Sequence, residues 1–215
     1  MTSKFRINFA ILFAVLALLM AACHQAPKYS PLPAGSTVLA FGDSVTFGTG
    51  AASGEDYPSQ LALISGWTVV NRGVSGDTSE GAKARIAAAL DETRPKLVIV
   101  EIGGNDYLQR FPESRIKANI RSILQIVKQS HVPVMLVATP RFSLVGVALG
   151  SLPDAKLYAE LAEEEGVALL PDTFAGVLSD PQLKSDQIHP NAAGYRKLAE
   201  GIAAGLVKAG LLARR

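Results

Sequence analysis

Cysteine occurs once in this 215-residue chain, at Cys23, and histidine three times, at His24, His131 and His189. One cysteine cannot close an intramolecular disulfide framework, and so few thiols and imidazoles argue against a Cys/His zinc site. Tryptophan also occurs once, no internal repeat is visible, and neither sign of charge dominates: 21 Lys and Arg face 19 Asp and Glu, for a net +2. No cluster of basic residues interleaved with aromatics appears, which removes support for nucleic-acid binding. The length suits one domain able to bury a core without metals or cross-links.

The small basic excess is local. Lys4 and Arg6 precede 14 apolar residues, Phe9 to Ala22, a run shorter than the roughly 20 needed to span a bilayer. A basic start, an apolar middle and a small-residue end read as an export signal. Removal of residues 1–22 leaves 19 basic and 19 acidic residues, a formally neutral mature chain. Leu19-Met20-Ala21-Ala22-Cys23 resembles the lipobox of bacterial lipoproteins. That resemblance implies lipidation of Cys23 and a membrane partner reached through an N-terminal lipid anchor, in the bacterial cell envelope. A cleaved signal ahead of a free soluble enzyme is the alternative. Pro27, Pro31 and Pro33 suit an extended tether over 23–35, leaving 36–215 as the globular domain.

Strand and helix signals alternate through that domain. Short apolar runs predict strands at Ser36–Phe41, Trp67–Asn71, Lys96–Glu101, Val132–Ala138 and Val167–Leu170. Helical periodicity is expected over Asp56–Ile64, Glu80–Leu90, Ser114–Gln129, Asp154–Glu165 and Asn191–Ala209, with Pro190 at the start of the last. Nearly continuous apolar strands separated by helices call for an α/β fold, a parallel sheet of five strands covered on both faces.

Ligands in such folds bind beyond the carboxyl ends of the strands. Four polar clusters fall there: Gly42-Asp43-Ser44, the stretch from Asn71 to Thr78, Gly103-Gly104-Asn105-Asp106, and Asp186-Gln187-Ile188-His189 before the last helix. All four are expected on one rim. Ser44 is a candidate nucleophile, although Asp43 or Ser44 capping a turn explains the same residues. His24 adjoins the expected anchor, and His131 lies between a helix and a strand, where a structural role suffices. His189 is therefore the candidate base. Asp186, three residues earlier, is placed to orient the ring, and an incidental loop pair is the alternative. Gly76 and Asn105 offer N–H donors for an oxyanion, a role that ordinary loop chemistry also mimics.

Phe41-Gly-Asp-Ser-Val-Thr-Phe-Gly48, Asn71 to Thr78, Gly103-Gly-Asn-Asp106 and Asp186-Gln-Ile-His-Pro190 stand in the order and spacing of the four blocks of the SGNH/GDSL hydrolases, which the chain resembles from about Val38 to Asn191. Val69-Val-Asn71, Ser75-Gly-Asp-Thr78 and Val100-Glu-Ile-Gly-Gly-Asn-Asp106 look like the bacterial arylesterase/thioesterase/lysophospholipase subgroup. The resemblance implies a three-layer α/β/α, flavodoxin-like fold with Ser44 as nucleophile, His189 as base and Asp186 as its orienter. It also implies an oxyanion hole from the N–H groups of Ser44 and Gly76 with the Asn105 side chain. Gly73 is a less favoured registration for the glycine, and Val45 replaces the family leucine. No metal or organic cofactor is implied.

The expected substrate is a small-molecule or lipid acyl ester, thioesters and lysophospholipids included. A carbohydrate or peptidoglycan O-acetylesterase is the enzymatic alternative, and a flavodoxin-like binding module the non-enzymatic one. Gly48 to Gly54 begins too far past the first strand for a dinucleotide fingerprint, and Gly42 to Thr49 lacks a P-loop lysine. The apolar segment from Arg141 to Leu152, with Tyr107, Leu108 and Phe111, either lines an acyl pocket, covers it, or packs beneath a loop.

Overall fold

Successive side chains of a strand point to opposite faces, and here both faces are apolar. Val38 and Ala40, Leu97 and Ile99, and Met135 and Val137 enter one core cluster; Leu39 and Phe41, Val98 and Val100, and Val134 and Leu136 enter the other. Two helical layers must cover such a sheet. The computed structural model describes residues 29–141 and 152–214. The expected signal, Cys23, His24 and most of the Arg141–Leu152 segment lie outside the described residues.

In chain order the elements are β1 (Thr37–Gly42), α1 (Ser44–Phe47), α2 (Tyr57–Ser65), β2 (Thr68–Gly73), α3 (Ser79–Thr93), β3 (Leu97–Glu101), α4 (Gly104–Leu108), α5 (Glu113–Gln129), β4 (Val134–Val137), α6 (Lys156–Glu165), β5 (Ala168–Leu170), α7 (Thr173–Ser179) and α8 (Ala192–Ala209). The five strands pair in parallel in the order β2-β1-β3-β4-β5. Helices α2, α7 and α8 cover one face, with Leu61, Phe174, Val177, Leu198 and Ile202 in the core. Helices α3, α5 and α6 cover the other with Ile86, Ile116, Ile120, Ile123 and Leu161. The layered α/β/α architecture is the one the strand and helix pattern predicts.

Three short helices, α1, α4 and α7, have no counterpart in the periodicity, because four to seven residues are too few to display a helical repeat. The start of α8 also differs from expectation. Asn191 is its N-cap and accepts from Gly194 N at 3.0 Å, so Pro190 lies just outside the helix. His131 is exposed at a positive φ of 57°, a turn residue between α5 and β4. Tyr29 and Leu32 pack against the core, and Leu32 N donates to Leu211 O at 2.9 Å, so the described part of the 23–35 segment lies on the body of the domain.

From β1 the chain passes outward to β2 and then returns across to β3. The loops leaving β1 and β3 therefore diverge, opening a crevice at the carboxyl end of the sheet. Ser44 follows β1 and Asn105 follows β3, one on each side of that crevice.

Candidate active site

Asp43 and Ser44 start a helix of only four residues. Asp43 accepts from Val45 N at 3.1 Å as its N-cap, and Gly48 ends it at φ 102°. Asp43 therefore does cap the turn, and Ser44 has a separate partner. Its hydroxyl lies 2.9 Å from His189 Nε2, across 145 residues of sequence. On the far side of the ring, Nδ1 lies 2.8 Å from Asp186 Oδ2.

Asp186 Oδ1 accepts from the backbone N–H groups of Ile188 and His189, each at 2.8 Å, which folds the loop into a compact turn. Partial burial alone raises the Asp186 pKa, but hydrogen bonds from the His189 ring and the two backbone amides outweigh it and hold the carboxyl below its ordinary value. An ionised carboxylate only accepts, so Nδ1 carries the ring proton and Nε2 is left to accept from the Ser44 hydroxyl. Ser185 N donates to His189 O at 3.0 Å and pins the loop from beneath.

Ser44, Asn105 and His189 line one narrow cleft with Asp43, Val45, Glu101, Gly104, Leu108, Phe174 and Ile188. Asn105 Nδ2 donates to Asp77 O at 2.9 Å, which ties the loop after β3 to the loop after β2 and leaves the second amide hydrogen available. Among the described residues, no acceptor takes the backbone N–H of Ser44 or of Gly76. Gly76 does not line the cleft; it sits on the neighbouring loop, one residue before Asp77. A Cβ at Gly76 would meet nothing within 4 Å, whereas one at Gly73 would lie 2.1 Å from Phe47 N. Gly73 is thus a packing glycine, and Gly76, at φ 81°, belongs to an open loop whose N–H is accessible.

One residue that braces this cleft, Arg85, lies outside the four blocks and carries no motif signal, and Asp106 of the third block braces it from within. Arg85, in the middle of α3, donates to the Asp77 carboxylate, to Arg72 O and to Gly42 O, and lies 4.1 Å from the centre of the Phe41 ring. Asp106 is fully buried and accepts from Ser79 N at 2.8 Å and Ser79 Oγ at 2.6 Å, joining α4 to the start of α3. Of the three residues grouped as pocket candidates after Asn105, Leu108 lines the cleft while Tyr107 and Phe111 pack against the core. Val45, Phe174 and Ile188 supply the remaining apolar wall, which the motif spacing did not reveal.

Among the described residues no group of three or more His, Cys, Asp or Glu side chains is placed to hold a metal ion. The arrangement is a hydroxyl, an imidazole and a carboxylate in series at the mouth of a partly apolar cleft, with unengaged N–H donors beside it. It can generate an alkoxide-like nucleophile and stabilise an oxyanion.

Comparison with known proteins agrees with this geometry. Residues 40–197 match the model of the GDSL-like lipase/acylhydrolase family. The chain is 33% identical over 202 residues to the Escherichia coli K12 thioesterase 1/protease 1/lysophospholipase L1, covering 93% of this chain and 91% of that one. It is 30% identical over 200 residues to an arylesterase of Vibrio mimicus, covering 90% and 98%. Among solved structures, the crystal structure of TesA superposes with a TM-score of 0.71 at 30% identity, over 80% of this chain and 99% of that one.

Proposed function

The chain belongs to the GDSL-like lipase/acylhydrolase family and is an esterase, and on that footing we propose that Ser44, His189 and Asp186 carry its chemistry. The observation behind this assignment is the unbroken series Ser44 Oγ–His189 Nε2–Nδ1–Asp186 Oδ2, with separations of 2.9 and 2.8 Å. Ser44 attacks the ester carbonyl as His189 Nε2 takes its proton. The imidazolium, paired with ionised Asp186, returns that proton to the departing alkoxide, and an acyl-enzyme remains. Water then enters and attacks the acyl carbon as His189 Nε2 takes its proton, and His189 returns that proton to Ser44 Oγ as the acyl–Oγ bond breaks and the acid leaves. Charge that develops on the carbonyl oxygen is met by the N–H groups of Ser44 and Gly76 and the free amide hydrogen of Asn105.

The substrates proposed are short-to-medium acyl esters, with thioesters and lysophospholipids in the same chemical range. Val45, Leu108, Phe174 and Ile188 beside the nucleophile support an acyl chain over a purely polar group. A series of p-nitrophenyl esters from acetyl to palmitoyl tests both points. Ser44→Ala is expected to abolish turnover, and undiminished hydrolysis sinks the mechanism. An acetyl-only profile with activity on acetylated glycans replaces the acyl-chain reading with that of an O-acetylesterase.

The sequence of residues 1–23 supports export and lipidation at Cys23, with residues 36–215 as the catalytic domain. Cys23→Ser is expected to release the protein from membranes; unchanged membrane association counts against the anchor.

A further inference from the structure

Two carboxylates lie beneath the nucleophile, and the relay above uses neither. Asp43 is 2% exposed and Glu101 1% exposed, and both line the cleft with Ser44. They approach because β1 and β3 are neighbours: Gly42 pairs with Glu101 in the sheet register, and Asp43 is the next residue. Glu101 Oε2 accepts from Thr46 Oγ1 at 3.1 Å, and Thr46 in turn contacts Tyr57 OH at 3.0 Å. Glu101 Oε1 is buried and has no donor among the described residues, and the neighbouring Asp43 carboxyl, one residue past the register partner of Glu101, is buried in the same narrow cleft. Two ionised carboxylates cannot hydrogen-bond, and two adjacent buried charges repel. A single shared proton removes both difficulties.

We propose that Asp43 and Glu101 form a buried acid–carboxylate pair that holds one proton on Glu101 at neutral pH, and that the charge left on Asp43 makes it a positioning residue which stabilises the imidazolium formed on His189 during turnover. This rests on the reading of Ser44 and His189 as nucleophile and base. The proton belongs on Glu101 because its buried Oε1 has no donor among the described residues, whereas Asp43 accepts the Val45 N–H, a donor that favours an anion.

The surrounding charges agree with that placement. Burial outweighs the Val45 amide, Glu101 and His189, which pull the Asp43 pKa down, and with Asp77 pushing it up leaves that pKa at about 6. Burial first, and then the Asp43 charge, drives Glu101 well above the usual carboxylate range. The other titratable groups in the electrostatic surroundings are Tyr57 of α2, Tyr158 of α6 and Tyr195 of α8, each raised by burial and further by Glu101 and Asp43. Asp56 acts on Tyr57 and Tyr195, Asp186 on Tyr195 and Tyr107 on Tyr158, while the Arg85 guanidinium reaches Gly42 O and is spent on that carbonyl, Arg72 O and Asp77. Among the described residues no ion pair engages Asp43 or Glu101. A negative charge below the relay stabilises the imidazolium formed at each proton transfer.

Carboxyl ¹³C spectroscopy of the full chain tests the pair without reference to turnover. At pH ~7 one resonance with the shift of a neutral acid is expected in the wild type and absent from Glu101→Gln, whose amide still donates to Asp43 and accepts from Thr46. Asp43→Asn is expected to lower kcat more than it raises KM, because only the imidazolium formed on the way to the transition state loses the charge beneath it. Two ionised carboxylates, two neutral ones, or a wild-type kcat in Asp43→Asn overturns the proposal. Because Ser44→Ala reports on the nucleophile alone, failure of the esterase mechanism and failure of the proton pair give different results.

Discussion

Arg85 Nε donates to Asp77 Oδ2 at 2.7 Å, and the same guanidinium reaches Gly42 O and Arg72 O at 2.8 Å each. One side chain thus binds the ends of β1 and β2 to the loop that carries Gly76. The planar fork makes this possible, since a lysine ammonium cannot satisfy three acceptors fixed in that geometry.

Replacing it separates position from charge. Arg85→Lys is expected to retain the fold and lower kcat more than it raises KM, because the Gly76–Asp77 loop loses its anchor. Arg85→Ala removes three hydrogen bonds, two of them partly buried, and is expected to cost about 1–3 kcal/mol as well. Urea denaturation with steady-state kinetics checks both, and a wild-type kcat in Arg85→Lys refutes the positioning role.

Asn105 has one amide hydrogen on Asp77 O, and the proposed mechanism gives the other to the oxyanion. Asn105→Ala is expected to reduce kcat ~10²–10³-fold with little change in KM, because the lost interaction belongs to the transition state. A fall confined to KM would assign Asn105 to ground-state binding.

Asp186 is held below its ordinary pKa by the hydrogen bonds that fix His189, after those bonds have overcome the effect of partial burial. For a lowered carboxylate, the stabilising contribution is present above the unfolded value of about 3.9 and is lost as pH falls through the folded one. Activity near neutrality is therefore expected to see Asp186 fully ionised. Asp186→Asn is expected to lose up to ~10⁴-fold in kcat through the wrong tautomer of His189. Retention of most activity would make the Asp186–His189 contact incidental.

Glu101 behaves in the opposite sense. A carboxyl whose folded pKa is raised gives its full contribution below the unfolded value of about 4.3, and that contribution declines as pH rises toward the folded value. Over that interval the slope approaches about 1.4 kcal/mol per pH unit for one proton. Glu101→Gln removes it, so the variant is expected to gain stability relative to the wild type as pH rises above about 4.3 toward the raised folded value. Thermal melts across that range report the difference; parallel curves would show that Glu101 titrates normally.

Much of the fold was legible from local pattern. Leu97 to Val100 and Val134 to Val137 are buried on both faces and read as continuous apolar runs, while the stripe Ile116, Ile120, Ile123 and Val127 marks α5. The short α1, α4 and α7 stayed hidden because their boundaries are set by packing and capping rather than by a repeat. Among site residues, scarcity singled out His189, and position after a strand singled out Ser44 and Asn105. The role of Glu101 was not legible, since at the end of an apolar strand it reads as the point where burial stops, yet it is 1% exposed.

By itself the sequence determined which chemical groups exist and where along the chain they fall: one serine after β1, one histidine in the Asp186–His189 loop, and glycine and asparagine after β2 and β3. Those assignments depend on residue type and local order, which periodicity and motif spacing preserve. Only the tertiary structure decided that Ser44 and His189 touch across 145 positions, that Arg85 braces three segments at once, and that Asp43 and Glu101 share one buried space. These depend on strand order. Placing β3 beside β1 brings distant side chains to one edge of the sheet, and a one-dimensional pattern carries no record of that adjacency.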